Sequence, residues 1–480
     1  MKVLIINEPY VDGFNRTQRW AARTRGRVLR APDWLAYATA VLEKEGIDAR
    51  LFDFPAQGWD KAQLRSLVRS EKPDYVVLDS TTPSIYSDID CGRICKEESG
   101  ARVIMVGPHA SAVPEETLTS ANGAVDTICI GEYDYTVRDV ILQEQNLQQI
   151  KGICYLKDGV PVRTEPREPI ADLDSLPFPA WHQIDLMKYF DGSKLYPYLD
   201  IFSGRGCPHR CMFCLWPQVM HGRKVRLRSP QNVVDEIEYD IKLCPQVVRG
   251  GEFFFEDDTF TLVKSNAIGI CEEILRRNLK ITFSVNARTD TADEELFRIM
   301  KRAGCRQLLV GFESGDQRLL EGMNKRTSVE NAHRFMELAR KFSMDVHGCF
   351  VFGLPGETTE TIENTLDFAL HLGLQTVQFS AAVPFPGTDY FKYCREQGLL
   401  NTTQWDKWLD DGEQSAVIDY PGLDKKDLQE AIDRGLKRFY FRPIYMLKFL
   451  FMTRSRWDLY RKVLGAKNFL SYLWREKHKK

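Results

Sequence analysis

The sequence predicts an α/β protein in which a doubly wound parallel sheet precedes a partial six-stranded parallel α/β barrel and a helical C-terminal extension. Three observations lead to this fold class. Short β-branched runs alternate with helical patterns over residues 1–150, six strand–helix repeats follow within residues 196–390, and residues 391–480 are helical and aromatic. A hairpin and a proline-rich linker in residues 151–195 separate the two α/β units.

Composition and charge exclude several classes of protein. The chain has 480 residues, 43% of them hydrophobic and 28% charged, with 65 basic and 67 acidic side chains. This composition excludes a disordered chain. Because the basic and acidic side chains nearly balance, the overall charge gives no reason to expect nucleic-acid binding. No apolar stretch is long enough to predict a transmembrane helix, and the N-terminus turns polar too soon for a signal peptide. We therefore expect a cytoplasmic protein.

Strand–helix alternation in residues 1–150 predicts right-handed βαβ units. The expected strands are Val3–Ile6, Ala49–Phe52, Tyr75–Leu78, Val103–Val106 and Thr127–Ile130, and the expected helices include Trp34–Glu45 and Lys61–Ser70. Ligands of such sheets bind beyond the carboxyl ends of the strands. Small and hydroxylated residues at those ends suit a large polar ligand, and the candidates are Ser80, Thr81, Thr82, Gly107, Pro108, His109, Gly131 and Glu132. No G-x-G-x-x-G follows the first strand, which disfavours a dinucleotide.

The six later repeats predict an open α/β barrel whose chemistry lies at the carboxyl ends of its strands. The expected strands are Leu199–Ser203, Phe253–Glu256, Ile281–Val285, Gln307–Val310, Val346–Phe352 and Thr376–Ala381. The expected helices include Val233–Leu243, Ile268–Arg277, Glu294–Ala303, Ala332–Phe342 and Thr361–Leu372. Before the barrel, the runs Ile153–Leu156 and Val160–Arg163 predict the hairpin, and five prolines between Pro161 and Pro179 predict the domain boundary.

Three of the twelve cysteines form the pattern Cys207-x3-Cys211-x2-Cys214, directly after the first barrel strand. Three thiolates can hold three irons of a [4Fe-4S] cluster and leave the fourth iron open for a substrate or cofactor. The alternative is a structural zinc site completed by His209 or His221. Structural zinc ligands usually come in two separated pairs, and the lack of a second such cysteine pair favours the cluster. The other nine cysteines are expected to be buried and inert.

The cysteine pattern, with the aromatic Phe213 before its last cysteine, resembles the signature of the radical S-adenosylmethionine (SAM) superfamily. The resemblance continues at five later strand ends, in Phe255–Phe260, Asn286–Arg288, Gly311–Gly315, Gly353–Thr358 and Pro384–Thr388. It implies that Cys207, Cys211 and Cys214 are the metal ligands and the catalytic centre. The SAM-binding residues that it implies are Phe213, Asp257 or Asp258 for the amino group, Arg288 for the carboxylate, Glu313 and Ser314 for the ribose and methionine, and Gly353.

Structural explanations exist for some of these residues. Arg288 and Glu313 can pair with each other across the barrel mouth, since structural ion pairs are common. Asp257 and Asp258 can cap the next helix, as acidic residues often do. Phe213 can be an ordinary packing residue.

The resemblance implies radical chemistry. SAM would bind the open iron, and a low-potential electron from a donor such as flavodoxin or ferredoxin would cleave it to a 5′-deoxyadenosyl radical that removes hydrogen from an unactivated carbon. The protein would contribute positioning and exclusion of water.

A doubly wound domain ahead of such a barrel resembles the cobalamin-binding group of the superfamily. The loops Ser80–Thr82, Gly107–His109 and Gly131–Glu132 stand where that group has its ligand loops. The Asp-x-His-x-x-Gly motif is absent, so the resemblance implies cobalamin held without a protein imidazole, with His109 in a loop hydrogen-bonding role. The alternative is a vestigial domain that binds no cobalamin.

At branch level, Cys214–Gln218, Arg226–Pro230 and Phe439–Pro443 most resemble the hopanoid-biosynthesis-associated proteins with a cobalamin domain. That resemblance implies cyclisation or rearrangement of a hopanoid polyol side chain, and so a hydrophobic, lipid-like substrate. The enzymatic alternative is cobalamin-dependent methyl transfer to carbon, and the non-enzymatic alternative is a cobalamin- or zinc-binding regulator. The magnesium-protoporphyrin ester cyclase branch shares the same architecture.

The C-terminal segment is the most strongly charged part of the chain. Residues 434–480 contain 14 Lys or Arg and two acidic residues, Asp458 and Glu476. Aromatic and aliphatic side chains interleave with these cations, as in helices that lie on membranes. The segment therefore predicts peripheral contact with the inner face of a membrane, with packing on the acidic remainder of the protein as the alternative. Nucleic-acid binding is disfavoured because no separate RNA-binding module is visible.

Overall fold

The computed structural model describes residues 1–17, 21–443, 445–446, 453 and 456–478. Its first sheet contains seven strands: β1 (Lys2–Asn7), β2 (Asp48–Asp53), β3 (Tyr75–Asp79), β4 (Arg102–Val106), β5 (Thr127–Cys129), β6 (Ile153–Lys157) and β7 (Val160–Arg163). They lie in the order β2-β1-β3-β4-β5-β6-β7. The first five strands are parallel, as the sequence predicts.

The hairpin of β6 and β7 belongs to this sheet and not to a separate linker. β6 pairs with β5 antiparallel, with Thr127 opposite Tyr155. An antiparallel hairpin at this position covers the edge that β5 would otherwise expose. The first sheet therefore extends to Arg163, whereas the sequence analysis placed the hairpin in the segment after residue 150.

Seven helices surround the first sheet: α1 (Asp33–Lys44), α2 (Phe54–Gln57), α3 (Lys61–Glu71), α4 (Ile85–Ser99), α5 (Pro108–Ala112), α6 (Pro114–Ala121) and α7 (Asp134–Leu142). Helix α1 is buried along its first ten residues. It packs on the sheet and also on the barrel, where the rings of Trp34 and Tyr37 lie 6.2 and 6.0 Å from the ring of Phe202. This helix therefore joins the two domains.

The second sheet is the predicted open barrel. Its strands are β8 (Tyr198–Ile201), β11 (Glu252–Phe255), β12 (Phe283–Ala287), β13 (Cys305–Glu313), β14 (Asp345–Phe352) and β15 (Thr376–Ala381), and all neighbouring pairs are parallel. A separate two-stranded ribbon of β9 (Gly204–Arg205) and β10 (Arg226–Leu227) follows β8. The helices are α8 (Trp216–Val219), α9 (Pro230–Leu243), α10 (Lys264–Arg276), α11 (Glu294–Ala303), α12 (Gln317–Gly322), α13 (Val329–Lys341), α14 (Thr359–His371) and α15 (Asp389–Glu396).

Several strand boundaries differ from the sequence prediction, and two of these differences have a visible physical reason. β8 ends at Ile201 because the backbone N–H of Ser203 donates to the side chain of Asp257 instead of to a strand. β12 begins at Phe283, two residues later than predicted, where its register against β13 shifts.

The C-terminal extension contains a short ribbon, β16 (Leu409–Asp410) and β17 (Glu413–Gln414), and the helices α16 (Lys425–Tyr440) and α17 (Arg456–His478). Part of α17 packs on the protein, since the Tyr472 hydroxyl donates to Asp433 at 2.7 Å. Leu447, Phe449 and Leu450, which the sequence analysis assigns to the membrane-contacting segment, lie outside the described residues. Within the described residues, no helix has the length and apolar character that a transmembrane span requires.

Candidate functional site

The cysteine loop begins at the β9–β10 ribbon. Arg205 lies opposite Arg226 in this ribbon, which brings together the two ends of the loop that carries the cysteines. Gly206 has φ +96°, and a Cβ at this position would lie 2.2 Å from the Lys224 carbonyl oxygen. Only glycine fits this conformation and this close approach. The loop therefore leaves the ribbon through a turn that a side chain would block.

The three cysteines are free thiols in a site that suits an anionic cluster. Cys207 and Cys211 are buried and Cys214 is half-buried. The Arg288 guanidinium lies beside them, with Nη1 3.9 Å from Cys211 Sγ. Burial raises the pKa of the Cys207 thiol, and Asp258 raises it further while Arg288 opposes the shift. Three thiols beside a fixed cation fit a cluster with three cysteine ligands.

The zinc alternative finds no support in this geometry. Among the described residues, no three His, Cys, Asp or Glu side chains converge as ligands of a single ion. A structural zinc needs four such ligands around one metal, whereas each cysteine of a [4Fe-4S] cluster binds a different iron.

The two neighbouring aspartates at the end of β11 have different surroundings. Both Asp257 oxygens accept from the Ser203 backbone N–H, and the Ser203 hydroxyl donates to Oδ1 at 2.8 Å. Burial raises the pKa of the Asp257 carboxyl to about 7. Asp258 instead lies 2.8 Å from His221, between Oδ2 and Nε2. Asp257 thus joins β11 to the end of β8, and Asp258 is the carboxylate directed to the cysteine loop. Neither caps the next helix, because the cap residue of α10 is Val263.

Arg288 and Glu313 do not pair with each other. Arg288 forms a bidentate ion pair with Asp290, with both N–O distances at 2.9 Å, and also donates to the Lys325 carbonyl oxygen. Glu313 accepts from Lys325 Nζ at 2.6 Å. Glu313 stands at a register shift of β13 with φ +66°, a conformation that is strained for a residue other than glycine. The alternative explanation, a pairing of Arg288 with Glu313 across the barrel mouth, is therefore not what the structure shows, and each residue is held by its own partner.

The remaining predicted SAM residues lie at the same end of the barrel. The Ser314 hydroxyl lies 3.1 Å from the Thr365 hydroxyl and accepts from the Asp316 N–H, which fixes the turn after β13. Gly353 has φ +87° after β14, and its carbonyl oxygen accepts from the Tyr390 hydroxyl. Phe213 is partly buried and packs against the main core.

The carboxyl edge of the first sheet is built from tight glycine turns. At Gly107, which has φ +96°, a Cβ would lie 2.2 Å from Asp79 Oδ1. The Ser80 hydroxyl donates to the Val106 carbonyl oxygen and accepts from the Ala110 N–H, which ties the β3 and β4 loops together. Gly131 has φ +73°, and a Cβ at this position would lie 3.1 Å from the Met220 carbonyl oxygen, so a side chain would fit poorly there. At Gly107 and Gly131 the edge therefore leaves little or no room for a side chain.

His109 and its neighbours are bonded within the loops. His109 Nδ1 lies 3.1 Å from the Thr82 hydroxyl, and the Thr81 hydroxyl lies 2.7 Å from the Ser84 hydroxyl. Burial lowers the pKa of His109 to about 3, so the ring is neutral. Pro108 opens helix α5 beside it. The contact with Thr82 is the loop hydrogen bond that the sequence analysis assigns to His109.

Glu132 joins the two domains. Arg226 donates to both Glu132 oxygens, at 2.8 and 2.5 Å. Two residues later, Asp134 accepts two hydrogen bonds from Arg205, at 2.8 and 3.1 Å. All four side chains are at most 4% exposed. The carboxylate of Glu132 is thus engaged by the ribbon that carries the cysteine loop.

The carboxyl edges of the two sheets meet at the cysteine loop. Trp34 of α1 stacks on Trp216 of α8, with ring centroids 5.7 Å apart and planes 7° apart. His221 packs against both rings. The loops that the sequence analysis assigns to a ligand in the first domain and the cysteine loop of the second therefore lie next to each other. Sequence reasoning missed the domain-joining roles of Arg205 and Arg226, because neither lies in a spacing pattern that identifies its partner.

Comparison with protein families matches each domain separately. Residues 201–369 match the radical SAM superfamily, and residues 31–141 match the B12 binding domain. The first match contains the three cysteines and the strand-end motifs to Gly353. The second contains the loops at Ser80, Gly107 and Gly131.

Several relatives match this chain over nearly its whole length. An uncharacterized methyltransferase of Pyrococcus horikoshii is 29% identical over 462 residues, which cover 94% of this chain and 95% of that protein. An anaerobic magnesium-protoporphyrin IX monomethyl ester cyclase of Rubrivivax gelatinosus is 27% identical over 459 residues, which cover 93% of this chain and 78% of that protein. The hopanoid C-3 methylase of Methylococcus capsulatus is 23% identical over 454 residues, which cover 90% of this chain and 81% of that protein. The hopanoid-linked relative is thus named as a methylase, and no relative named here is a ring-forming hopanoid protein.

The fold is that of a solved relative. The structure of the radical SAM methyltransferase TsrM from Kitasatospora setae, with cobalamin and a [4Fe-4S] cluster bound, superposes with a TM-score of 0.74 at 19% identity, covering 98% of this chain and all of that one. The superposition confirms the predicted fold class, and the two domain matches bear out the predicted cofactors, a [4Fe-4S] cluster, SAM and cobalamin. The chain joins a B12-binding domain to a radical SAM domain and is a cobalamin-dependent radical SAM enzyme.

Proposed function

We propose that the protein transfers a methyl group from SAM to an unactivated carbon of a hydrophobic substrate. The observation that carries the proposal is the meeting of the two carboxyl edges at the cysteine loop, where Gly131 of the first domain lies against the Met220 carbonyl of the second. Two of the three relatives described above are named as methyltransferase or methylase, which favours methyl transfer over the cyclisation expected at branch level.

The chain's own residues would hold the cofactors in that region. Cys207, Cys211 and Cys214 would hold the cluster, Asp258, Arg288 and Glu313 would bind SAM, and the Ser80, Gly107 and Gly131 loops would bind cobalamin. When bound, these groups supply radical generation and methyl transfer, which side chains cannot provide. The protein positions them and excludes water, and a low-potential donor such as flavodoxin or ferredoxin would supply electrons.

An apolar cluster supports a hydrophobic substrate. It contains the residue after the last cysteine, two residues after β15 and two from the C-terminal extension: Leu215, Val383, Phe385, Trp408 and Val417. Trp405 of the extension packs edge-on against His109, with ring centroids 5.4 Å apart. This apolar cluster thus begins directly after the last cysteine and, through Trp405, contacts His109 of the first domain.

The test is product analysis under anaerobic conditions. Lipid profiling of cells with and without the protein identifies the substrate fraction, which is then incubated with the reconstituted enzyme, a reductant and methyl-labelled SAM. Methyl transfer predicts label in the product and formation of both S-adenosylhomocysteine and 5′-deoxyadenosine. An unlabelled, cyclised product with 5′-deoxyadenosine as the only SAM-derived product would contradict methyl transfer and favour cyclisation.

We also propose peripheral membrane contact through α17. Leu459, Val463 and Leu470 lie on one face of this helix at spacings of four and seven residues, and Val463 and Leu470 are 60% and 56% exposed. Not every cation of the segment faces outward, since Arg461 and Lys462 are buried with Asp458. The remaining cations would attract anionic lipid.

Sedimentation with phosphatidylglycerol vesicles tests this contact. Replacing Val463 and Leu470 by Ser should lower vesicle binding by about tenfold or more, because burial of each side chain contributes roughly 1.5–3 kcal/mol. The control is Val160→Ser, since Val160 is 61% exposed on β7 of the other domain. Equal binding by all three proteins would favour packing on the protein over membrane contact.

A further inference from the structure

The outward face of the cysteine loop carries cations that have no acidic partner. Arg210 lies between the first two cysteines, Lys224 lies just before β10, and Arg326 follows the turn after α12; all three are exposed. Arg223, next to Lys224, is half-buried. Within the part of the chain that the structure describes, no carboxylate lies within 4.0 Å of the charged group of any of these four residues. We call them the loop cations.

Hydrogen bonds bring the three segments that carry the loop cations to one place. The Arg223 guanidinium donates to the His209 carbonyl oxygen, which joins the segment before β10 to the cysteine loop. The Met212 N–H donates to the Met323 carbonyl oxygen at 3.0 Å, which joins the turn that carries Arg326 to the same loop. The loop cations are therefore grouped around the cysteines and not spread over the barrel.

An exposed arginine elsewhere on the barrel shows the contrast. Arg298 of α11 is 56% exposed and pairs with Glu294 at 3.0 Å. Such a pair adds little to stability, but it cancels charge at the surface. Asp290, at the same end of the barrel as the cysteines, does not offset the loop cations, because it forms its ion pair with Arg288. The face of the cysteine loop therefore keeps a positive charge that attracts an acidic partner.

This face is also where an electron from another protein can approach the cluster. Pro208 and Arg210 are exposed, and each is the direct chain neighbour of a buried cluster cysteine, Cys207 and Cys211. A carrier that docks on the loop cations is thus separated from the cluster by little more than the cysteine loop itself. Carrier proteins bind their partners through small, transient interfaces, in which complementary charge sets the rate of encounter.

We propose that the loop cations form the docking surface for a low-potential, one-electron carrier protein with an acidic surface, which reduces the cluster across the cysteine loop. In this step the carrier loses one electron and the cluster gains it, passing from its 2+ to its 1+ state, and no bond or proton is transferred. The inference rests on the proposed function only in that the cluster has to be reduced before SAM is cleaved.

The first experiment measures binding without turnover. An oxidised flavodoxin with an acidic surface is titrated into the cluster- and cobalamin-loaded enzyme, and the Kd is measured by calorimetry at low and at high salt. Arg210→Glu combined with Lys224→Glu should raise the Kd about tenfold or more at low salt, because both substitutions reverse a charge that faces the carrier. The difference should shrink at high salt, which screens exposed charges.

The matched control reverses two charges far from the cysteine loop. Lys151 and Lys157 are exposed, one shortly before β6 and one at its end. Lys151→Glu combined with Lys157→Glu changes the net charge of the protein by the same amount as the test variant. Its Kd for flavodoxin should change less than about twofold, because the two sites lie away from the docking surface.

The rate of cluster reduction is the second readout, followed by electron paramagnetic resonance on rapidly frozen samples. Reduced flavodoxin should reduce the Arg210→Glu, Lys224→Glu enzyme about tenfold or more slowly than the wild type. Reduced methyl viologen is a small cation that needs no docking surface, and it should reduce this variant no more slowly than the wild type. Equal slowing with both reductants would place the effect on the cluster itself and would overturn the proposal.

Further outcomes are decisive as well. Unchanged flavodoxin affinity in the charge-reversed enzyme, an equal loss in the Lys151, Lys157 variant, or no flavodoxin binding by the wild type would each overturn the proposal. If the charge-reversed enzyme retains less iron, Arg210→Gln combined with Lys224→Gln provides the same comparison, with an expected rise in Kd of about threefold. Failure of methyl transfer would appear instead as normal reduction by flavodoxin without methylated product, which leaves this inference standing.

Discussion

Asp257 and Asp258 show that a residue's role depends on its contacts and not on its type. The two residues follow β11 in a bend, where the Asp257 carboxylate accepts from Ser203 and the Asp258 carboxylate contacts His221. The family resemblance left open which of the two meets SAM. The hydrogen bonds from Ser203 occupy Asp257, and the contact with His221 of the cysteine loop favours Asp258.

The environment of Asp257 predicts a specific pH dependence of stability. Its folded pKa of about 7 lies above the ordinary value of 3.8 because the carboxyl is buried. The folded state therefore favours the protonated form, and the associated stability is fully present below the ordinary pKa and is lost as pH rises to about 7. The Asp257→Asn protein should not lose this stability as the pH rises. Between about pH 5 and pH 7, its free energy of unfolding should fall less steeply than that of the wild type, by about 1.4 kcal/mol per pH unit.

Urea unfolding across this pH range measures the difference. Asp235→Asn is the control, because Asp235 is exposed on α9 and should leave the wild-type slope unchanged. Parallel slopes for wild type and Asp257→Asn would show that Asp257 is already ionised in the folded protein.

At the scale of elements, the β9–β10 ribbon sets the shape of the cysteine loop. Gly206→Ala should weaken cluster binding, because a Cβ there would overlap the Lys224 carbonyl oxygen and the backbone has φ +96°. The left-handed backbone alone costs about 1–2 kcal/mol for alanine, and relief of the overlap has to move the ribbon. We expect fewer irons per chain after reconstitution and a lower melting temperature.

Gly192→Ala is the matched control for this substitution. Nothing lies within 4 Å of a Cβ at Gly192, and its φ is not in the left-handed region. Iron content and melting temperature of Gly192→Ala should match the wild type. Full iron loading of Gly206→Ala would mean that the ribbon tolerates displacement and that the turn does not define the loop.

Local patterns in the sequence predict most elements but not the contacts between them. Hydrophobic runs and strand-end motifs located the eleven parallel strands and the cysteine loop, because these signals lie within a few residues. The hairpin of β6 and β7 was predicted as an element but not as part of the first sheet, since strand pairing depends on which edge is open. The partners of Glu132, Asp134 and Glu313 were not predicted, because buried ion pairs connect residues far apart or without a spacing rule.

At the scale of the whole molecule, two buried ion pairs make the domains act as one unit. Glu132 and Asp134 follow β5 of the B12-binding domain, and Arg226 and Arg205 belong to the two strands of the ribbon. The interaction fixes the end of β5 relative to the ribbon that carries the cysteine loop, as a reaction that uses both cofactors would require. Burial raises the pKa of Glu132, but Arg226 and Arg205 overcome that effect and hold the pKa below its usual value.

Removing only Arg226 from the Glu132–Arg226 ion pair should lower the free energy of unfolding more than removing the charges of both residues. Arg226→Met leaves Glu132 buried without its partner, and we expect an apparent destabilisation of about 3–5 kcal/mol in urea unfolding. Glu132→Gln combined with Arg226→Met removes the unpaired charge, so it should be clearly more stable than the single variant, although the hydrogen bonds from Arg226 to the Ile170 and His221 carbonyls are lost in both. Lowering the pH should narrow the difference, because protonation neutralises the unpaired Glu132. If the single and double variants unfold at the same urea concentration at neutral pH, the charge pair does not hold the domains together, and the aromatic contacts of Trp34 have to supply the connection.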